Sequence, residues 1–189
     1  MSKKKVICIM GKSACGKSTV INYLCSGNNT HYIASKTTRE LRVDDPNDAS
    51  THIFCTPEDF RYDLANGKIV AIYVSPQNYI NWTSDDLFND DKINIYAIDP
   101  IAFISWCDWG EDIYDIYGIY IDIPEHIRQA RMMKRGGVFE DEPHLSWELF
   151  CKNKLSTNKY VIVNGDDTSD NICNQIKNII KENVGWTID

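Results

Sequence analysis

The sequence predicts a single α/β domain: a mostly parallel sheet with helices on both faces, plus a small strand-rich lobe and a lid. Three observations carry that expectation. Apolar runs of strand length alternate with helical stretches along most of the chain, the order that a parallel sheet with crossover helices requires. The first such run, Lys5 to Met10, passes directly into a glycine-containing loop and then a helix. Between 51 and 83 the chain is instead dense in short strands, the signature of a lobe inserted between elements of the main sheet. With 189 residues and 43% hydrophobic content, one such domain can bury a real core, and two comfortable ones cannot. The expected division is a core at about 1–34 and 90–189, the strand-rich lobe at about 35–89 and a lid at about 131–144.

The loop after the first strand is the most informative stretch. Gly11, Lys12, Ser13, Ala14, Cys15, Gly16, Lys17, Ser18 and Thr19 fit G-x-x-x-x-G-K-[ST] at every constrained position. Glycines at 11 and 16 let the backbone curl so that successive amides point inward at phosphate oxygens, and the following helix, expected over Ser18 to Leu24, adds the positive end of its dipole. Lys17 supplies a point charge to the β- and γ-phosphates, and the Ser18 hydroxyl a ligand for Mg²⁺. Strand, loop and helix together predict a P-loop NTPase-type sheet that binds a nucleoside triphosphate.

The remaining elements follow in order. Asn28-Asn29-Thr30 is a turn and His31 to Ala34 a short strand leading to Ser35-Lys36-Thr37-Thr38-Arg39-Glu40-Leu41-Arg42; residues 43–50, rich in Asp, Asn and Pro, form a surface loop. Thr51 to Cys55 is a strand. Thr56-Pro57-Glu58-Asp59 starts a helix, with a Thr cap, Pro at the first helical position and acids in the first turn, and Asn66-Gly67 ends it. Lys68 to Val74 is a strand, Pro76-Gln77-Asn78 a turn, and Tyr79 to Thr83 a further extended piece. Ile93 to Asp99 is an apolar strand closing on an acid, followed by Pro100 and a helical run to Trp106. Ile116 to Ile123 is the next strand. Pro124 then opens a helix carrying Arg128, Arg131 and Arg135, which Gly136-Gly137 stops. An acidic loop from Val138 to Pro143, a helix over Leu145 to Leu155, a last strand Tyr160 to Asn164 and an amphipathic helix Asp170 to Glu182 complete the chain.

Charge narrows the partners. A net charge of −7 and a pI near 5.1 argue against a nucleic-acid surface, which needs a basic face. Met1-Ser2-Lys3-Lys4-Lys5 is followed by no apolar stretch of signal or membrane length, so a soluble cytoplasmic protein is expected. Seven cysteines with no C-x-x-C pair point to reduced thiols rather than a disulfide framework or zinc site.

The order of these motifs resembles the guanylate kinase family over nearly the whole chain. Ser35-Lys36-Thr37-Thr38-Arg39-x-x-Arg42 is similar to the family's S-x-T-T-R-x-P-R, and Ile53-Phe54 with Glu58 and Phe60 falls in its nucleotide-binding lobe. Arg131-Met132-Met133-Lys134-Arg135-Gly136 is similar to its R-L-x-x-R-G lid, and Tyr160-Val161-Ile162-Val163-Asn164 to its Y-x-V-V-N. The resemblance implies transfer of the γ-phosphoryl of ATP to GMP, dGMP or a related nucleoside monophosphate, with Mg²⁺, by a monomer or homodimer. It places Asn164 with the ATP-binding residues, and Ser35, Thr38, Arg39, Arg42, Tyr79, Thr83 and Asp99 with the acceptor.

Beside the resemblance, the residue types suit the chemistry. Arginine forks such as Arg39 and Arg42 fix a phosphate bidentately, though two arginines in a loop are also ordinary surface charges. Arg131 and Arg135 lie i, i+4 on one helix face, able to swing together over the triphosphate or to remain a solvated face. Asp99 either orients magnesium-bound water or the acceptor, or caps the next helix. Tyr73, Tyr79 and Trp82 could stack on a base or fill the lobe's core.

Three departures from the family pattern fall mainly in the base pocket. Ala71 stands where the family has a guanine-reading glutamate, so a glutamate installed there is expected to move preference towards GMP. Thr51-His52 and Ile80-Asn81-Trp82-Thr83 replace a phosphate-gripping tyrosine and a Y-Y-G-T stretch. Ala97 replaces the first acid of D-x-D, and the arginine expected after the lid is not evident around Trp147-Glu148-Leu149. A kinase for a non-guanine nucleotide, and a non-catalytic nucleotide- or protein-binding module, are the alternatives.

Overall fold

The structure, a computed structural model, describes residues 2–42, 48–75, 77–134 and 159–189. Its main sheet contains β1 (Lys4–Met10), β2 (Thr30–Ile33), β7 (Ile93–Ala97), β8 (Tyr114–Asp122) and β9 (Tyr160–Asn164), in the order β2-β7-β1-β8-β9. Every neighbouring pair is parallel. Alternation along the strands sorts side chains into two cores. From β1, Ile7 and Ile9 face one core, with α1 (Lys17–Leu24) and α6 (Ser169–Val184) contributing Val20, Ile21, Leu24, Ile172 and Ile176. Val6, Cys8 and Met10 face the other, with α4 (Pro100–Trp109) contributing Ala102, Phe103 and Trp106. On β8, Gly118 faces α4: a Cβ there would come within 2.6 Å of the Phe103 ring and 2.8 Å of the Met10 methyl, so the missing side chain lets the helix close on the sheet.

A second sheet, in the order β4-β3-β6-β5, holds β3 (Ser35–Thr37), β4 (His52–Phe54), β5 (Ile69–Val74) and β6 (Ile80–Ser84). β3 runs parallel to β4 and antiparallel to β6, which in turn pairs antiparallel with β5. The start signal at Thr56 forms a full capping box with Asp59, opening α3 (Pro57–Ala65). From α3, the buried Asp63 carboxylate accepts from Lys36 Nζ at 2.7 Å and Trp82 Nε1 at 2.9 Å, while Phe60 meets the Trp82 ring edge-on. Trp82 is therefore the centre of the lobe's packing and not a stacking platform. The lobe joins the main body through Val70 and Ala71, which enter the α4 core.

Local differences from expectation have local causes. The Asp/Asn/Pro-rich stretch gives way to a short helix α2 (Asp48–Thr51), whose first carboxylate is buried, so the next strand begins only at His52. β3 was not expected because Ser-Lys-Thr carries no apolar alternation; its ladder bonds come from β4 and β6. α4 continues to Trp109, past Trp106, before Gly110. Arg135, Gly136-Gly137, the acidic loop and the helix expected over Leu145 to Leu155 lie outside the described residues. Among the described residues no helix is long and apolar enough to cross a membrane, and the six described cysteines are free thiols.

Candidate active site

The phosphate loop sits at the carboxyl end of β1, where ligands of open α/β sheets bind. Three residues hold its curl in the left-handed region: Gly11 (φ 145°), Ala14 (φ 64°) and Gly16 (φ 107°). Gly11 has a second constraint, since a Cβ there would lie 2.6 Å from Cys15 Sγ and 2.7 Å from the Ile121 carbonyl. Gly16 caps α1 without any side-chain bond, leaving the first-turn amides directed at the loop's concave face. Lys17 Nζ donates to the carbonyls of Gly11 at 2.8 Å and Lys12 at 3.0 Å, which holds the ammonium across the loop. Cys15 is buried beneath the loop.

Helix α5 (Glu125–Lys134) braces the loop at two points. At its start Glu125 lies 3.5 Å from Lys12 Nζ and also chelates Arg128, a cation only 2% exposed. The Arg128 hydrogen bonds, ahead of the opposing effect of burial, hold the Glu125 carboxyl below its ordinary range. Farther along, Arg131 Nη1 reaches the Cys15 carbonyl at 3.3 Å and the Ala14 carbonyl at 3.5 Å. Arg131, Ala14, Gly16, Thr19, Ser169 and Ile172 line a hollow of about 160 Å³ beside the loop. Ser169 was not anticipated from sequence. Asn164 ends β9 with its Oδ1 accepting from the Asp166 amide and does not line that hollow.

Facing the loop, the second sheet encloses two clefts. One, of about 390 Å³, is lined by Gly11, Ser13, Lys17, Ser35, Asn81 and Asp99 together with Ile72 and Tyr73. The other, of about 410 Å³, takes in Lys17, Ser18, Ser35, Arg42, Asp48 and His52. Asp99 takes the capping role that the sequence left open, accepting from the Ile101 amide at 2.8 Å, and it also lines the first cleft. Thr38, Arg39, Arg42, Tyr79 and Asn81 line a third, shallower hollow of about 770 Å³ on the lobe; Thr38 Oγ1 accepts there from the Ile80 amide.

Several residues take up other duties. Thr83 is fully buried and donates to the Tyr96 hydroxyl at 2.6 Å, joining the two sheets rather than lining a cleft. Ala71 is 6% exposed and packs in the α4 core, because a β-bulge between Ile69 and Ala71 shifts the register of β5; the neighbouring Ile72 lines the cleft. The Arg39 fork is bonded to Asp48, at 2.6 and 2.8 Å. His52, absent from the sequence-derived set, lines all three of these spaces; the only signal for it was its place beside Thr51 where the resembling family has a tyrosine.

The fold, a parallel sheet flanked by helices with a smaller second sheet, is shared with solved structures. The chain is similar to a crystal structure of guanylate kinase from Anaplasma phagocytophilum, with a TM-score of 0.64 and 19% identity over 96% of this chain and 88% of that one. It is also similar to a gluconokinase from Sinorhizobium meliloti 1021, with a TM-score of 0.51 and 15% identity over 93% and 90% of the two chains. No protein-family model and no curated protein matches the sequence.

Proposed function

We propose that this chain is an ATP-dependent nucleoside monophosphate kinase, acting in the cytoplasm with GMP or dGMP as the first acceptors to test and other nucleoside monophosphates after them. The observation that carries this reading is the position of Lys17, which lines both clefts between the phosphate loop and the second sheet together with Ser35. A donor phosphate cradled by the loop amides and an acceptor held by the lobe would meet at that ammonium. Lys17 stabilises charge on the transferred phosphoryl, and Arg131, braced against the loop, adds a second cation on the donor side. On this reading about 35–89 is the acceptor lobe and about 131–144 the lid, with Arg135 its second cation.

The residues present fit Mg²⁺ in the manner of a nucleotide-borne ion. Ser18 Oγ lines the cleft beside Lys17, and no cluster of three His, Cys, Asp or Glu side chains occurs among the described residues. A single hydroxyl with phosphate oxygens and water suits an ion that binds with few protein ligands. When bound it neutralises phosphate charge.

Ala71 is packed in the core, so a base in the cleft would meet Asn81 and Asp99, which are among its polar lining, and not the side chain of position 71. An acceptor of another base is the second reading. A coupled ADP-release assay across all ribo- and deoxynucleoside monophosphates tests both, with acceptor-stimulated turnover expected. No stimulation by any of them would overturn the kinase reading and leave a non-catalytic binding module.

A further inference from the structure

A second cation-rich hollow lies at the opposite end of the main sheet. The phosphate loop follows the carboxyl end of β1, whereas this space of about 340 Å³ sits at the amino ends of β1 and β7, one strand length of about 20 Å away. It shares no lining residue with the spaces around the loop. Lys3, Lys5 and Lys92 line it, in a chain whose net charge is −7. Among the described residues none of these three ammoniums stands in an ion pair. Lys5 Nζ lies 5.9 Å from the centroid of the Trp186 ring, and Glu111, on which the Lys3 charge also acts, is bonded to Lys159. Asp90 and Asp91 also line the hollow, and Asp90 is shared with Lys4 at 3.4 Å.

The walls of this hollow are fixed from within the protein. Asn94, fully buried on β7, directs Nδ2 at the carbonyls of Asn89 (2.9 Å), Lys5 (3.0 Å) and Lys92 (3.3 Å), and its Oδ1 accepts from the Asn89 amide at 2.9 Å. This pins the turn that carries Asp90, Asp91 and Lys92. On the other side Asn29 Nδ2 donates to the Thr187 carbonyl at 2.8 Å and Asn29 Oδ1 accepts from the Asp189 amide at 3.3 Å, while Trp186 and Ile188 are buried in the core with α1 and α6. A hollow held in this way needs little ordering when a ligand arrives. Exposed ammoniums contribute little singly, so the group that gains from all three is one with several anionic oxygens, as a phosphate has. The carboxylates, by contrast, repel a bare polyanion and accept from hydroxyls. We infer that the hollow is a second ligand site, separate from the substrate clefts, for a phosphorylated polyol, with its phosphate on Lys3, Lys5 and Lys92 and its hydroxyls on Asp91. A sugar phosphate and a nucleotide share that chemistry.

Amide chemical shifts of the whole chain locate such a ligand. Ribose 5-phosphate, AMP, free ribose and tripolyphosphate would be titrated, at physiological salt, into the wild type, a combined Lys3→Ala, Lys5→Ala and Lys92→Ala variant, Lys92→Ala alone and Asp91→Asn. Ribose 5-phosphate is expected to move the amides of 89–92 and 185–188, and free ribose to leave them in place. The combined variant is expected to lose about tenfold or more of that affinity with the rest of its spectrum unchanged. Lys92→Ala alone is expected to weaken binding in the same direction by less, which keeps the test open should the combined variant fold poorly. Asp91→Asn is expected to weaken ribose 5-phosphate and to tighten tripolyphosphate, because the same carboxylate accepts from hydroxyls and repels phosphate. AMP binding more tightly than ribose 5-phosphate would assign the site to nucleotides, and equal binding to sugar phosphates. Wild-type shifts confined to the phosphate loop and the lobe, or a distal response that survives unchanged in both lysine variants, would overturn the inference. Equal weakening of both ligands in Asp91→Asn would overturn its polyol half. Turnover is nowhere read, so the kinase reading stands or falls separately.

Discussion

The loop after β1 and the lobe of the second sheet are built by different means. The loop is a backbone structure of amides, carbonyls and three left-handed residues, with Lys17 held across them. The lobe is a side-chain structure, and residues that the sequence offers as ligands or base-stacking groups are drawn into its packing: Thr83 onto Tyr96, Trp82 onto Asp63, Arg39 onto Asp48. A backbone site is constrained by few residue types, so a sequence pattern specifies it closely. A side-chain site depends on which neighbour each group finds first.

The largest effect expected from this contrast is at Lys17. Lys17→Met should lower acceptor-stimulated turnover by about 10²–10³-fold with little change in melting temperature, since the described partners of the ammonium, the Gly11 and Lys12 carbonyls and Cys15 Sγ, all belong to the loop itself. Steady-state rates beside a thermal melt decide this; an active Lys17→Met protein would remove the donor half of the comparison.

On the lobe side the order of effects reverses, with stability lost before chemistry. Ala71→Glu, the substitution that the sequence offers as a guanine reader, would put a carboxylate among Val70, Ala102 and Phe103 and should cost on the order of 3–5 kcal/mol. Ile72→Glu, at a position 46% exposed and lining the cleft with Asp99, should stay within about 0.5 kcal/mol of wild type and raise the preference for GMP. Melting curves and the GMP/AMP turnover ratio of both variants test this. A stable Ala71→Glu protein with improved GMP use would restore the sequence-based placement of the base pocket.

Between the two regions stands Glu125, which ties the loop to α5. Glu125→Gln removes the negative partner of Lys12 and of the buried Arg128 and should cost about 1–3 kcal/mol, with a raised KM for ATP and an unchanged KM for the acceptor. A double-mutant cycle with Lys12→Ala should show coupling above about 0.5 kcal/mol. Additivity would mean that the Glu125–Lys12 contact adds nothing and that α5 braces the loop through Arg131.

What was legible in the sequence divides along the same line. The parallel sheet, its helices and the loop were readable because apolar period, glycine positions and cap residues act within a few residues of themselves; Thr56-Pro57, Asp99-Pro100 and Gly11-to-Thr19 all formed as their local chemistry requires. β3 was not readable, since Ser35-Lys36-Thr37 owes its extended form to two partners distant in sequence. Nor were the facing of Ala71, which a bulge decides, or the engagement of Arg39, which depends on a buried aspartate nine residues away. His52 was noticed only as a departure, because nothing local shows that three spaces converge on it.

The smallest effect expected is also the most specific to the lobe. The Arg39 fork, against the opposing effect of burial and with help from the Arg42 amide and the Arg39 and His52 charges, holds the Asp48 carboxyl down to about 2; in an unfolded chain an aspartate titrates near about 3.9. A group depressed in the folded state contributes stability that is complete above its unfolded value and disappears as pH falls through the folded one. The melting-temperature difference between wild type and Asp48→Asn should therefore be constant from about pH 7 to 5, shrink between about pH 4 and 2, and close near the bottom of that window. Comparing the two proteins at each pH cancels the acid sensitivity that they share through Asp63, Asp85 and Glu125, whose carboxyls are also lowered in the fold. A difference that stays flat to pH 2 would mean that Asp48 acts through its shape and its bond to the Arg42 amide, and that its charge on the Arg39 fork adds nothing to the stability of the lobe.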